Sequence, residues 1–312
     1  MSPLQRTALC LALLAPIHVL AEDAPAASET PAVRQPLLER SQGDALALER
    51  QLPAQEQQQL QAGSDNFLAL WRPANTSDPQ GTVIMVPGAG ESADWPQAVG
   101  PLRRKFPDAG FSSLSLTLPD LTSQAPVARA MEKPPAPVTT ETQAVVPDAG
   151  AGVEKATAPD ADNGNAAPQD PMQVDAERIF ARIEAGVAFA QQHNSRSIVL
   201  LGNGSGAYWA ARYMAERQPP HVQKLVMVAA KTPGNAPQGI DELAPEVKVP
   251  VADIFYSDRQ QAVDAARQRL DASKRSKGVP YSQVSLRAVP DREAQAEQLF
   301  RRVKGWLVPQ EG

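Results

Sequence analysis

The stretch SIVLLGNGSGAYWA, residues 197–210, constrains this 312-residue chain more than any other. Ile198-Val199-Leu200-Leu201 is a short apolar run bounded by a polar residue and a glycine, which reads as a strand buried on both faces. Gly202, Gly204 and Gly206 then alternate through a tight turn, and Ala207-Tyr208-Trp209-Ala210 opens a helix. Glycine serves two needs here: a backbone that reaches positive φ, and close approach of helix to strand. A buried strand that runs straight into a helix belongs to a sheet with helices on both faces.

The flanking sequence repeats this alternation. Strands are expected at residues 67–71, 81–86, 111–118, 224–230, 249–256 and 282–289, where β-branched and aromatic residues gather. Helices are expected at 102–106, 175–192, 258–273 and 291–307. In the 175–192 segment Ile179, Ile183 and Val187 share one face. Residues 40–62, rich in Leu, Gln, Glu and Ala, read as one or two helices broken near Pro53. Strands alternating with helices mean an α/β fold with a mostly parallel sheet.

Two segments depart from this pattern. Residues 122–172 are dominated by Pro, Ala, Thr, Glu and Asp, with few large apolar side chains. Such a stretch buries too little surface to offset the entropy of ordering, so it is expected to be a disordered insertion within one domain spanning 40–308. At the start, Arg6, an apolar run over residues 8–20 and Val19-Leu20-Ala21 read as a signal peptide, residues 1–21, followed by a flexible segment, 22–39. Cys10, the single cysteine, lies inside that signal, so no disulfide or thiolate site is expected after cleavage. The expected location is periplasmic, with no transmembrane segment after cleavage. Cleavage leaves 29 basic against 35 acidic residues, and no basic run marks a nucleic-acid partner.

At the glycine-rich turn and its flanks the chain resembles the α/β-hydrolase superfamily. The turn matches a nucleophile elbow, G-x-S-x-G, in which the central serine attacks an acyl group. The sequence more closely resembles an exported proteobacterial family, domain of unknown function thirty-five thirty. The matching pieces are Phe67-Leu68-Ala69-Leu70-Trp71, Pro87-Gly88-Ala89-Gly90 with Asp94-Trp95-Pro96, Gly110-Phe111-Ser112-Ser113-Leu114-Ser115-Leu116, and Leu201-Gly202-Asn203-Gly204-Ser205-Gly206-Ala207. The resemblance covers roughly residues 40–120 and 173–308. It implies an α/β-hydrolase-like fold and export, and it carries no activity.

A hydrolase triad runs Ser, Asp/Glu, His in chain order. Here Gly204 stands in the nucleophile slot. Asp258, just past a strand, fits the acid slot and equally suits a helix N-cap. Beyond the last strand comes Asp291, another candidate cap, and no histidine follows it. His193 and His221 precede strands, at the edge opposite the site. Ser205 follows the elbow position. Its hydroxyl is a candidate nucleophile without a base, or a cap for the next helix. The three glycines miss the dinucleotide spacing G-x-G-x-x-G by one residue, and no His/Asp cluster has metal spacing, so no cofactor and no metal are expected.

The leading expectation is a non-catalytic module, a pseudoenzyme. Its ligand-binding edge would comprise Gly88, Asn203, Gly204, Ser205, Tyr208, Lys231 and Asp258, and its partner would be an unknown small molecule or envelope protein. The alternative is an esterase that uses Ser205 with a non-standard base. A third reading is a carboxylate base drawn from Asp258, Asp120 or Glu91.

Overall fold

Among the described residues eight strands form one sheet in the order β1-β2-β4-β3-β5-β6-β7-β8. They are β1 (Gln57–Ala62), β2 (Asp65–Arg72), β3 (Gly81–Val86), β4 (Phe111–Leu116), β5 (Ile198–Asn203), β6 (Val222–Val228), β7 (Val251–Tyr256) and β8 (Tyr281–Leu286). Among these strands the β1–β2 and β2–β4 pairings are antiparallel and the rest parallel. This computed structural model describes residues 39–124, 170–275 and 279–308. The expected signal peptide, the flexible segment up to residue 38 and insertion residues 125–169 lie outside the described residues.

The helices are α1 (Arg40–Gln51), α2 (Val99–Lys105), α3 (Pro171–Gln192), α4 (Ser205–Arg217), α5 (Ile240–Leu243), α6 (Gln260–Ser273) and α7 (Arg292–Leu307). Because side chains alternate along a strand, each parallel strand feeds two cores. Ile84, Leu114 and Leu200 point to one face, where Ile179 and Ile183 of α3 and Trp209 of α4 cover them. Val83, Met85, Val199 and Leu201 point to the other, under Leu102 of α2 and Leu299 and Val303 of α7. All of these side chains are 1% exposed or less. Each contributes roughly 1.5–3 kcal/mol of hydrophobic burial. The mostly parallel sheet with helices on both faces is the α/β-hydrolase-like architecture expected from the sequence.

Two local expectations need correction. Residues 57–62 form a strand instead of a second helix. The run Gln58-x-Leu60-x-Ala62 turns alternate residues inward, and Gly63-Ser64 closes a two-residue hairpin that pairs Ala62 with Asp65 and Gln57 with Leu70. Pairing along a sheet edge outweighs the local preference of glutamine for helix. Helix α3 begins at Pro171, not at residue 175. Asp170 caps it by accepting from the Met172 N–H at 3.0 Å, and Pro171 occupies the first turn. Residues 122–124 form a 3-10 turn. The carboxylate of Asp175 holds that turn, accepting from Thr122 N, Thr122 Oγ1 and Ser123 N at 2.7, 2.7 and 3.0 Å.

The topology creates one natural crevice. From β3 the chain crosses over α2 to β4 on one side, and β5 pairs with β3 on the other. Ligands in open α/β sheets bind where the strand order reverses in this way, outside the carboxyl ends of the strands.

Candidate functional site

The elbow sits at that crevice. Gly204 has φ +57° and ψ −123°, a strained strand-to-helix turn. It is fixed from both sides: its N–H donates to Val228 O at 2.9 Å, and its carbonyl accepts from Lys231 N–H at 3.0 Å and Ala207 N–H at 3.2 Å. The flanking glycines are steric necessities. A Cβ on Gly202 would overlap Ala207 Cα and Gly206 O, and a Cβ on Gly206 would overlap Val86 O and Pro87 O. Gly204 itself has open space where its side chain would stand.

Glu91 faces that space. The loop after β3 folds back, so the Glu91 carboxylate accepts from Gly88 N–H at 2.7 Å and from the Asn203 amide at 2.8 and 2.9 Å. The next amide of the same loop, Ala89 N–H, donates to Ser205 Oγ at 2.7 Å. In a hydrolase an amide from this loop and the amide after the nucleophile together hold the oxyanion. Here the loop amides at 88 and 89 are both engaged by the chain's own oxygens. In the sequence Glu91 stands only as one of three candidate carboxylate bases. The spacing Gly88-x-x-Glu91 was the available signal, because an acidic side chain three residues on can reach back to a backbone N–H.

The remaining candidates divide. Gly88, Asn203, Gly204 and Ser205 meet around the crevice. Ser205 does not cap α4 through its side chain, because its hydroxyl is turned to Ala89. Tyr208 leaves the expected binding edge: it is 0% exposed inside the core, and its hydroxyl has no partner among the described residues. It points there because the first turn of α4 packs flat on the sheet. Burial raises its phenol above the usual range, and Arg212 opposes that shift. Lys231 is exposed and reaches the elbow through its backbone.

Asp258 is exposed and does not cap α6, whose N-cap is Arg259. Its carboxylate accepts instead from Ala288 N–H, at 3.4 Å, in the loop after β8. The acid slot and the loop that carries histidine in a triad therefore touch. Asp291 is the cap of α7, accepting from Ala294 N–H at 2.6 Å. Asp120 is drawn away from the crevice, since it accepts from Arg40 Nη2 at 3.1 Å and Ser41 N at 3.2 Å. Among the described residues the histidines are His193, at the end of α3 before β5, and His221, immediately before β6. His193 stacks on Phe189, ring centroids 4.1 Å apart. A six-residue strand, roughly 20 Å at 3.3 Å per residue, separates His193 from the elbow.

These features define an α/β-hydrolase fold, and solved structures agree. The chain is similar to a dienelactone hydrolase from Anabaena variabilis (14% identity, TM-score 0.52, covering 80% of this chain and 97% of that one). It is similar to Est1E from Butyrivibrio proteoclasticus (9%, 0.53, 81% and 97%) and to the Pyrococcus furiosus esterase Pf2001 (13%, 0.54, 80% and 89%). At these identities the likeness is one of fold. By sequence, the chain belongs to the family "Protein of unknown function (DUF3530)", whose model matches residues 3–309. No curated protein matches it. Among the described residues no helix is long and apolar enough to cross a membrane.

Proposed function

We propose that this protein is an exported, periplasmic pseudoenzyme of the α/β-hydrolase fold, which lacks a Ser-His-Asp triad and works by binding a small molecule or an envelope protein. One observation carries the reading: the loop amides beside the elbow are engaged by Glu91 and Ser205, and a glycine stands where the nucleophile would be. A site built for acyl transfer keeps such donors free for the charge that develops in the transition state. The esterase alternative requires the Ser205 hydroxyl to be activated by a neighbouring base. That hydroxyl accepts from Ala89, and both described histidines stand at the far sheet edge. Export rests on Arg6 and the apolar run over residues 8–20.

The test is a fluorophosphonate probe followed by intact mass. The expected result is no adduct. An adduct on Ser205, lost in Ser205→Ala, would establish the esterase reading instead. Export is checked separately by N-terminal sequencing of the periplasmic protein, which is expected to begin at Glu22.

A further inference from the structure

A cavity of about 760 Å³ opens between α1, the β1–β2 hairpin and α3. In sheet order β4 and β3 separate it from β5 and the elbow, and the two sites share no lining residue. Its size falls in the range of small-molecule sites, roughly 300–1,000 Å³.

Arg182 lines this cavity and is only 8% exposed. Its Nη1 donates to Thr117 O at 2.6 Å, and its guanidinium carbon stands 5.0 Å from the centroid of the Phe67 ring. Among the described residues no carboxylate oxygen lies within 4.0 Å of it. Burial, with a further push from the nearby Arg178 charge, lowers its pKa to about 10, and the charges of Asp65, Glu39 and Asp120, none of them in contact with it, oppose that shift. A buried charge with no carboxylate in contact is costly and favours one that reaches it. Beside it the Thr117 hydroxyl is buried with no hydrogen-bond partner among the described residues. Arg178 is already engaged, 3.2 Å from Glu39 and 3.0 Å from Asp120 O.

We propose that this cavity binds a monocarboxylate with an apolar body, its carboxylate held by Arg182 and the Thr117 hydroxyl. A planar guanidinium fork matches a carboxylate in two places at once. Ala45, Leu46, Phe67 and Leu68 supply the apolar wall, and Leu46, 44% exposed, is the large hydrophobic side chain left open to solvent among the described residues. The acids Glu39, Glu49 and Asp65 also line the cavity. Glu39 is paired with Arg178, Glu49 accepts from Gln59 Nε2 at 2.6 Å, and Asp65 is exposed. The lining thus sets three carboxylates against two guanidinium groups, which disfavours a dianion such as phosphate and confines a bound carboxylate to direct contact with Arg182.

Calorimetric titration of the full mature chain with sodium octanoate tests this, with 1-octanol and inorganic phosphate as comparisons. Octanoate is expected to bind at one site and more tightly than octanol, with no measurable heat from phosphate. Arg182→Met is expected to weaken octanoate on the order of tenfold to a hundredfold, the range for losing a charged hydrogen bond. Leu46→Glu, at an exposed helix position that leaves folding intact, is expected to weaken it several-fold. Octanol binding as tightly as octanoate would overturn the proposal, as would unchanged affinity in either variant. Octanoate found at the elbow in a co-crystal would also overturn it.

Discussion

The carboxylate of Glu91 faces the bare Cα of Gly204: a Cβ on Gly204 would lie 3.9 Å from Glu91 Oε1, with no closer contact outside its chain neighbours among the described residues. The turn therefore has space for a side chain and a cost only in backbone strain. Gly204→Ser is expected to fold, losing roughly 1–3 kcal/mol for a non-glycine residue at positive φ. Gly206→Ala is expected to lose at least about 3 kcal/mol, because its Cβ overlaps two backbone carbonyls. Urea unfolding of the two variants checks the order. Equal losses would refute it.

Restoring a base tests the pseudoenzyme reading. Asp291→His at the expected histidine position removes the α7 cap, at about 1 kcal/mol. Ala288 is the better position, since its backbone already meets Asp258. Gly204→Ser with Ala288→His is expected to hydrolyse p-nitrophenyl acetate no faster than Gly204→Ser alone, because Glu91 and Ser205 still occupy the loop amides. Turnover tenfold above the single variant would show that those amides remain available to an oxyanion.

The segment between β4 and α3 has a defined place to be cut. Thr122 Oγ1 lies 3.5 Å from Pro171 O, and Asp175 takes its hydrogen bonds from residues 122 and 123. Deleting 125–169 and bridging with a short Gly/Ser linker is expected to leave the melting temperature within a few degrees. Deleting 122–172 removes the partners of a carboxylate that is 0% exposed, together with the Asp170 cap, and is expected to cost about 3 kcal/mol. Thermal unfolding of both deletions separates the two outcomes.

Asp253 on β7 is 0% exposed and accepts from Arg269 at 2.9 and 3.0 Å, from Tyr281 Oη at 3.0 Å and from Gln283 Nε2 at 2.9 Å. Asp253→Ala strands the Arg269 charge and is expected to destabilise the fold by about 3–5 kcal/mol. Tyr281→Phe removes one donor and is expected to cost about 1 kcal/mol. Chemical denaturation midpoints check both, and a near-neutral Asp253→Ala would contradict the arrangement.

Burial raises all four tyrosines, Tyr208, Tyr213, Tyr256 and Tyr281, and Tyr213 is pushed up to about 12. Between pH 10 and 12 the unfolded chain loses the Tyr213 proton while the folded chain keeps it, so stability falls as pH rises through that window. The loss from Tyr213 is roughly 2–3 kcal/mol, and Tyr213→Phe is expected to remove that part of the slope. Absorbance at 295 nm should show phenolate appearing with unfolding and not ahead of it.

The sequence by itself determined the sheet and the elbow. Apolar runs such as Val83-Ile84-Met85 and Ile198-Val199-Leu200-Leu201 leave little choice but a strand buried on both faces. Gly202 and Gly206 stand where only hydrogen fits. The missing serine at Gly204 was equally plain. The β1 hairpin is hidden in the sequence because glutamine favours a helix locally, whereas Gly63-Ser64 and the partner β2 act across the chain. Only the tertiary structure could bring Glu91 onto Gly88 and Asn203, turn Ser205 toward Ala89 and sink Tyr208 into the core. It alone leaves Arg182 without a carboxylate beside the cavity under α1. Those relations join residues up to 116 positions apart. They depend on which element packs on which, and local periodicity carries no record of that.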